Sequence, residues 1–416
     1  MGNLSDSASL TETTVKLDKF TYGGDCMGRL PDGRAVFVSF GLPGEKVHIR
    51  LVEEKKNFAR AELLEVLQPS SQRIEPKCRH FSECGGCHYQ HLSYEDQLMA
   101  KADILRDQLQ RIGKIEKPPV RPMVACPQPW HYRNHVQFHL TDAGKLGFVN
   151  TAGNAIIPIA ECHLPEASMN ALWPELEFDP DAPFERVSLR AGGSDDLMLI
   201  LESTDLEAPE MELEAGISVV HLTDGDALVM AGDDHLLMQV KARVFRVSAA
   251  SFFQVNTLMA EKMVEHLLTR LPLSKSANVL DVYCGVGLFS AFLAATCGQV
   301  TGIEVSPSAC EDFVVNLDEF DHVALYEADA GVVIPQLEAK QDIVLVDPPR
   351  AGLDKRVLDG IVQLNPDVIA YVSCDPATLA RDAARLINGG YRLAEVTPFD
   401  LFPQTYHIES ISIFEK

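Results

Sequence analysis

No stretch of the 416-residue chain approaches the roughly 18 consecutive apolar residues that a membrane-spanning helix requires, so no membrane partner is expected. The opening residues, MGNLSDSASLTETT, lack a basic patch followed by an apolar run, and do not read as a secretory signal. Met1-Gly2 begins like a myristoylation site, but Asp6 stands where that pattern wants Ser or Thr. These absences lead us to expect a cytoplasmic protein; a monomer is also expected. Positive charge is also short. A formal net charge of −24 argues against a general nucleic-acid binder that works by bulk attraction to phosphate. The acid is concentrated, however: between Glu161 and Asp234, nineteen Asp or Glu residues face only Arg186 and Arg190. Basic residues recur at Lys46, Arg50, Lys55, Lys56, Arg60, Arg73, Lys77 and Arg79, and again at Lys241, Arg243 and Arg246. A local nucleic-acid surface with the acidic segment turned away fits this pattern, and so do ordinary solvated charges.

Ten cysteines are present, but their placement does not suggest a disulfide framework. Cys78, Cys84 and Cys87 cluster, while Cys284 and Cys374 sit in Gly- or Pro-marked turns after apolar runs. In a chain expected to be cytosolic, such grouping points to metal binding or chemistry. Cys78, Cys84 and Cys87 with a remote fourth thiolate suit zinc or a four-iron, four-sulfur cluster. Spacing does not choose between them, and structural zinc is the commoner case. Cys162 is the candidate fourth ligand, with Cys126 in competition.

Three regions are expected. In residues 8–68, VKLDKF, AVFVSF, KVHIRLVEE and ARAELLEVL alternate apolar and polar residues between Gly, Pro and Asp turns, which predicts a small β-barrel. Residues 69–250 hold the cysteine cluster, a helix at YEDQLMAKADILRDQLQRIG, a linker at PPVRPM and a series of strands read as an antiparallel sheet. In residues 251–416 apolar runs alternate with helical stretches, as in a parallel sheet covered on both faces.

Within this last region Asp281-Val-Tyr-Cys-Gly-Val-Gly follows one predicted strand and precedes a helix. Gly285 and Gly287 let backbone approach a ligand closely. Glu304 ends the next strand, where an acid commonly holds ribose hydroxyls. Ser290 replaces the third glycine of a pyrophosphate loop, which favours a nucleoside without pyrophosphate, such as S-adenosylmethionine. The fold expected is a class I methyltransferase. Asp281, Glu304, Asp347 and Cys374 each close an apolar run, and in an open parallel sheet such residues line the carboxyl edge, where ligands bind.

That edge suits one chemistry. Carbon 5 of uracil is a poor nucleophile until a thiolate adds at carbon 6 and converts the ring to an enolate. A base must then remove the carbon 5 proton. One cysteine, one carboxylate and a group on the uracil edge are required, and Cys374, Glu409 and Asp347 are the candidates. Against this stand plainer readings: a strand-end cysteine is usually an inert core residue, and a Glu in a terminal strand usually faces solvent.

The motifs CxxxxxCGGCxxQHL (Cys78 to Leu92), FFQVN (Phe252 to Asn256), DVYCGVGLF, VDPPRAGL, SCDPATLARD and QTYHIES together resemble the RNA uracil-C5 methyltransferase family. The nearest likeness is its 23S-rRNA-type branch with a TRAM domain and an iron–sulfur cluster. The resemblance runs from about residue 14 to residue 416. It implies Cys374 as nucleophile and Glu409 as base. It also implies Gln254, Tyr283, Glu304 and Asp347 around S-adenosylmethionine, and a 4Fe-4S cluster on Cys78, Cys84, Cys87 and Cys162. The first region then resembles the TRAM module, an OB-like RNA-binding barrel. One departure is Leu288, where ribosomal members carry Asn. The substrate implied is RNA, with 23S rRNA expected and tRNA the alternative. Rival functions are an amino-methyltransferase, since DPPR resembles the DPPY turn, and a non-catalytic RNA-binding iron–sulfur protein.

Overall fold

The computed structural model describes residues 11–193, 196–205, 216–223 and 226–416. Residues 8–10 of the expected barrel, and Asp195, Glu207, Glu210, Glu212, Glu214 and Asp224 of the acidic stretch, lie outside them.

Strands β1 (Glu12–Phe20), β2 (Cys26–Arg29), β3 (Ala35–Val38), β4 (Lys46–Glu54) and β5 (Phe58–Gln68) form a closed barrel in the order β1-β2-β3-β5-β4. Strict alternation drives it: Val47, Ile49 and Leu51 of β4 point inward, against Leu17, Val36 and Val38. The segment containing β2 reads in sequence as a turn because of its glycines. Gly28 instead permits close strand approach, since a Cβ there would lie 2.5 Å from the Lys16 carbonyl oxygen.

Helix α1 (Tyr94–Arg111) follows the cysteine segment. Ser93 caps it by accepting from the Asp96 N–H at 3.2 Å, and Glu95 and Asp96 complement the helix dipole. Next comes a seven-stranded sheet built from β6 (His135–Leu140), β7 (Leu146–Val149), β8 (Ile156–Pro158), β9 (Arg186–Ala191), β10 (Leu197–Glu202), β11 (Ser218–Thr223) and β12 (Asp226–Ala231). Helix α2 (Ala167–Leu172) is inserted after β8, and the strand order is β12-β11-β10-β9-β6-β7-β8. The expected all-antiparallel sheet is not observed, because β10 and β11 pair in parallel. Residues 203–217 join them, a connection long enough for the crossover that parallel pairing needs, whereas hairpin turns serve pairs such as β6–β7. Strands β13 (His235–Val240) and β14 (Arg243–Ser248) form a separate hairpin.

After α3 (Thr257–Arg270) comes the sheet of β15 (Asn278–Val282), β16 (Gln299–Glu304), β17 (Val323–Glu327), β18 (Ile343–Val346), β19 (Val368–Ser373), β20 (Arg392–Phe399) and β21 (Glu409–Glu415). It is interleaved with α4 (Leu288–Ala294), α5 (Pro307–Asn316), α6 (Ala330–Val333), α7 (Lys355–Leu364) and α8 (Pro376–Asn388). The order is β17-β16-β15-β18-β19-β21-β20. β21 runs antiparallel between β19 and β20, and the first five strands are parallel. The order reverses at β15, which places a ligand crevice at the carboxyl ends of β15, β16 and β18. The edge strand β20 is covered by the supposed linker. Arg121 and Val124 N–H groups donate to the Val396 and Pro398 carbonyls, both at 2.8 Å, which closes an otherwise open hydrogen-bonding edge. Helix α1 packs Ile104, Leu105 and Leu109 into the same apolar cluster as Leu379, Ala380 and Ala383 of α8.

Candidate active site

The cofactor crevice begins where β15 ends. Tyr283 adopts a left-handed conformation (φ 65°), as do Gly285 (φ 53°) and Gly287 (φ 88°). A left-handed tyrosine is a strained backbone position, of a kind that clusters at functional sites. Gly287 is required for packing, because a Cβ would fall 2.4 Å from Leu317 Cδ1. Gly285 faces open space, with no atom within 4 Å of where a Cβ would stand. Glu304 binds this loop: its Oε2 accepts from the Gly285 N–H (2.9 Å), and its Oε1 from the Val305 and Ser306 N–H groups (2.8 and 2.9 Å). At the crevice floor Asp281 Oδ2 accepts from the Ser290 hydroxyl at 2.6 Å, while its buried Oδ1 has no partner. Burial, and secondarily the negative charge of Glu304, raises the Asp281 pKa to about 7. Gln254 is held through its carbonyl, which accepts from Asn134 Nδ2 at 2.9 Å. Leu288 is buried in the core at the start of α4.

The second cluster lies at the ends of β18, β19 and β21. Ser373 pairs with Ser410, so Cys374 and Glu409 each stand one position beyond that pair at the same edge. Burial pushes the Cys374 thiol up to about 12. The carboxylates of Glu409 and Asp347 act in the same direction and Arg350 opposes them. Glu409 is buried, and its pKa is raised well above the ordinary carboxylate range by burial and then by Asp347, again opposed by Arg350. Asp347 is raised to about 7 by burial and by Asp281. Arg350 Nη2 lies 3.4 Å from His407 Nδ1. Burial, and then Arg350, lowers the pKa of this imidazole to about 3, so it is neutral. The thiolate is the reactive form of cysteine. Alkylation of Cys374 by iodoacetamide should therefore be slow at pH 7 and climb about tenfold per pH unit up to about pH 10. Arg350→Ala removes an influence that favours the thiolate, and should slow alkylation about threefold or more at fixed pH. Peptide-level mass spectrometry reads both, and faster alkylation in Arg350→Ala would contradict the electrostatic assignment.

Cys78, Cys84, Cys87 and Cys162 line one cavity of about 740 Å³ between the barrel, the cysteine segment and the central sheet. Burial raises all four thiols, Cys87 to about 12 and Cys162 to about 11, and the neighbouring thiols of the group raise Cys84, Cys87 and Cys162 further. The competing Cys126 is elsewhere: its thiol donates to the Gln128 carbonyl at 3.2 Å and accepts from Asn256 Nδ2 at 3.3 Å. Among the described residues no group of three or more His, Cys, Asp or Glu side chains is arranged to hold a metal ion.

The model of the tRNA (Uracil-5-)-methyltransferase family matches residues 204–328 and 330–416, and that of the TRAM domain matches residues 11–64. The chain belongs to the RNA uracil-5-methyltransferase family. An uncharacterized RNA methyltransferase of Aquifex aeolicus is 35% identical, covering 96% of this chain and 98% of the relative. One of Thermosynechococcus vestitus is 32% identical, covering 96% and 97%. Among solved structures, the tRNA (uracil-54, C5)-methyltransferase of Pyrococcus abyssi in complex with S-adenosyl-L-homocysteine shares the fold. Its TM-score is 0.74 at 24% identity, covering 96% of this chain and 100% of that one. This uracil-5-methyltransferase is thus an S-adenosylmethionine-dependent enzyme of RNA, with a TRAM barrel at its N-terminal side.

The basic residues that suggested an RNA surface are largely engaged within the protein. Arg73 pairs with buried Glu45 (2.6 Å), Arg60 with Asp25 (2.9 Å), Arg79 with Glu161 (3.2 Å), and Arg246 with Asp234 and Asp312 (3.0 and 3.1 Å). Side chains that sequence reasoning left without a role also meet at the Cys374 end of the sheet. Tyr22 of the barrel donates its hydroxyl to Asp375 Oδ2 at 2.8 Å, and Tyr406 contacts His407 and His88 with ring centroids 4.3 and 4.6 Å apart. Asp375 and Tyr406 lie within SCDPATLARD and QTYHIES, but nothing in a linear motif shows that they converge with the barrel.

Proposed function

We propose that the protein methylates carbon 5 of a specific uridine in 23S rRNA through a covalent bond between Cys374 and uracil carbon 6. The observation that carries the covalent mechanism is the placement of Cys374 and Glu409 at adjoining ends of β19 and β21, beside Asp347 and next to the glycine-loop crevice, while the choice of 23S rRNA rests on the sequence resemblance. The Cys374 thiolate adds to carbon 6, and carbon 5 becomes nucleophilic. S-adenosylmethionine would supply an electrophilic methyl group to that carbon, with S-adenosylhomocysteine as the leaving group. Glu409 then takes the carbon 5 proton, and the carbon 6–sulfur bond breaks to return the thiolate. A carboxylate held in an apolar setting is a stronger base than one in water, which suits Glu409 to a carbon acid. Arg350 supplies the positive charge that favours the ionised thiol.

Gln254, Tyr283, Glu304 and Asp347 would surround the cofactor. The open space at Gly285 and the unpartnered, buried Asp281 Oδ1 fit a nucleoside donor that approaches the backbone closely. Target uracil must leave its stack, because carbon 6 is hidden inside a helix. Residues 8–68 would dock RNA, 69–250 would carry the cluster and brace the site, and 251–416 would perform the transfer. Mass mapping of 5-methyluridine in rRNA and tRNA from a deletion strain tests the substrate. Loss from one 23S position is expected, whereas loss from tRNA alone would assign a tRNA enzyme.

We further propose a 4Fe-4S cluster on the four thiols of Cys78, Cys84, Cys87 and Cys162, the ligand set that the sequence resemblance implies. They line one cavity, and the Gly86 N–H donates to Cys84 Sγ at 3.4 Å, the type of backbone contact that tunes cluster sulfurs. Its role would be structural. Protein purified without oxygen should be brown and contain iron, and Cys84→Ala should lose both colour and iron. A colourless preparation with stoichiometric zinc would contradict the assignment.

A further inference from the structure

Tyr22 of the barrel reaches the Cys374 end of the transferase sheet. Tyr22 lies in the turn between β1 and β2, followed by Gly23 (φ 105°) and Gly24 (φ 95°). The turn is closed by Thr21, whose N–H and hydroxyl both reach the Asp25 carbonyl (2.8 and 3.0 Å). Gly24 allows it to seat against the cysteine segment, because a Cβ there would lie 2.9 Å from His88. From this seat the Tyr22 hydroxyl donates to Asp375 Oδ2 at 2.8 Å. Asp375 is the residue after Cys374, and its other oxygen caps α8, accepting from the Ala377 and Thr378 N–H groups (2.9 and 2.8 Å). Ser373, on the other side of Cys374, donates to the Asp375 carbonyl at 3.0 Å and accepts from the Asp375 N–H at 3.2 Å. Both neighbours of the thiol are therefore tied into one tight turn, and Tyr22 anchors it from outside. The ring of Tyr22 also meets Tyr406 edge-on at 5.8 Å, and Tyr406 adjoins His407, two residues before Glu409.

We propose that Tyr22 is a positioning residue for Cys374: by holding Asp375 and Tyr406 from the barrel, it makes the geometry of the thiol depend on a docked barrel. This rests on the reading of Cys374 as nucleophile. The barrel then has a second task besides RNA contact, since the reacting turn is complete only when the barrel is in place. Small misplacements of a reacting group are costly, so removal of one hydroxyl should be visible in the chemical step.

The test uses the full-length protein. Tyr22→Phe removes the hydroxyl and keeps the ring, and Tyr22→Leu removes both. Three quantities are measured: single-turnover methyl transfer to total RNA from a strain lacking the protein, iodoacetamide alkylation of Cys374, and affinity for S-adenosylhomocysteine. In Tyr22→Phe, transfer should slow about tenfold and Cys374 alkylation should change about threefold, while S-adenosylhomocysteine affinity stays within about twofold. Tyr22→Leu should slow transfer by about a hundredfold. A purely structural tyrosine would lower the melting temperature but leave both rates unchanged, which would overturn the proposal. A parallel loss of S-adenosylhomocysteine affinity would also overturn it, by assigning Tyr22 to general folding. Cys374→Ala run alongside separates the two claims. If it keeps turnover, the nucleophile assignment fails; if it is inactive while Tyr22→Phe matches wild type, only the positioning role fails.

Discussion

Glu409→Gln should leave the protein covalently attached to methylated RNA, visible as a band of reduced mobility on a denaturing gel. In the proposed mechanism addition of Cys374 and methyl transfer need no base at carbon 5, so both should still occur, while the carbon 5 proton stays and the carbon 6–sulfur bond cannot break. Cys374→Ala should reduce turnover by about 10⁴-fold or more while S-adenosylmethionine still binds, because other residues are proposed to surround the cofactor. The retarded band should vanish in the Cys374→Ala, Glu409→Gln double variant. An amino-methyltransferase or a binding protein yields no covalent species from any of these variants. Burial and neighbouring carboxylates raise the pKa of both groups, and Arg350 opposes the shift in each.

Lys101→Met should destabilise the protein by about 3–5 kcal/mol, the cost of leaving a buried charge without its partner. Lys101 and Asp400 are both fully buried, with Nζ 2.6 Å from Oδ1, and Lys101 Nζ also donates to the Phe402 carbonyl at 3.0 Å. Burial lowers the lysine pKa, and the Asp400 carboxylate opposes that shift. The Lys101→Met, Asp400→Leu double variant should recover more than half of the loss in equilibrium denaturation, because well-packed apolar pairs replace buried ion pairs at little cost. No recovery would show that the pair acts through its other hydrogen bonds. The pair joins α1 to the segment that leads into Tyr406, His407 and Glu409. Gln97 reinforces that join, with Nε2 2.9 Å from Gln404 Oε1 and its own Oε1 accepting from the Gln404 N–H at 3.0 Å. Methyl transfer should fall in Lys101→Met for that reason as well.

What was legible in the sequence was local. The glycine loop, Glu304, Asp347 and Cys374 could be placed on one edge because each closes an apolar run, and a parallel sheet aligns such ends. Barrel strands with strict alternation, such as β4, were equally readable. The parallel pairing of β10 with β11 was not, since strand direction depends on a connection rather than on the strands. Nor was the covering of β20 by residues 119–124, because Pro119 and Pro122 mark a linker in sequence while the N–H groups of Arg121 and Val124 remain free to pair. Charge was the least readable feature. Arg73 and Arg246 looked available for phosphate, yet each faces a carboxylate distant in sequence. The contact of Tyr22 with Asp375 spans 353 positions and follows from no motif.

Carbon 5 methylation displaces the hydrogen at that carbon, so the most direct test is RNA labelled with tritium at uracil carbon 5. With wild-type protein and S-adenosylmethionine, tritium should appear in water in step with methyl incorporation, one for one, and neither should occur with Cys374→Ala. Methyl incorporation with the tritium retained, or full tritium release by Cys374→Ala, would contradict the account.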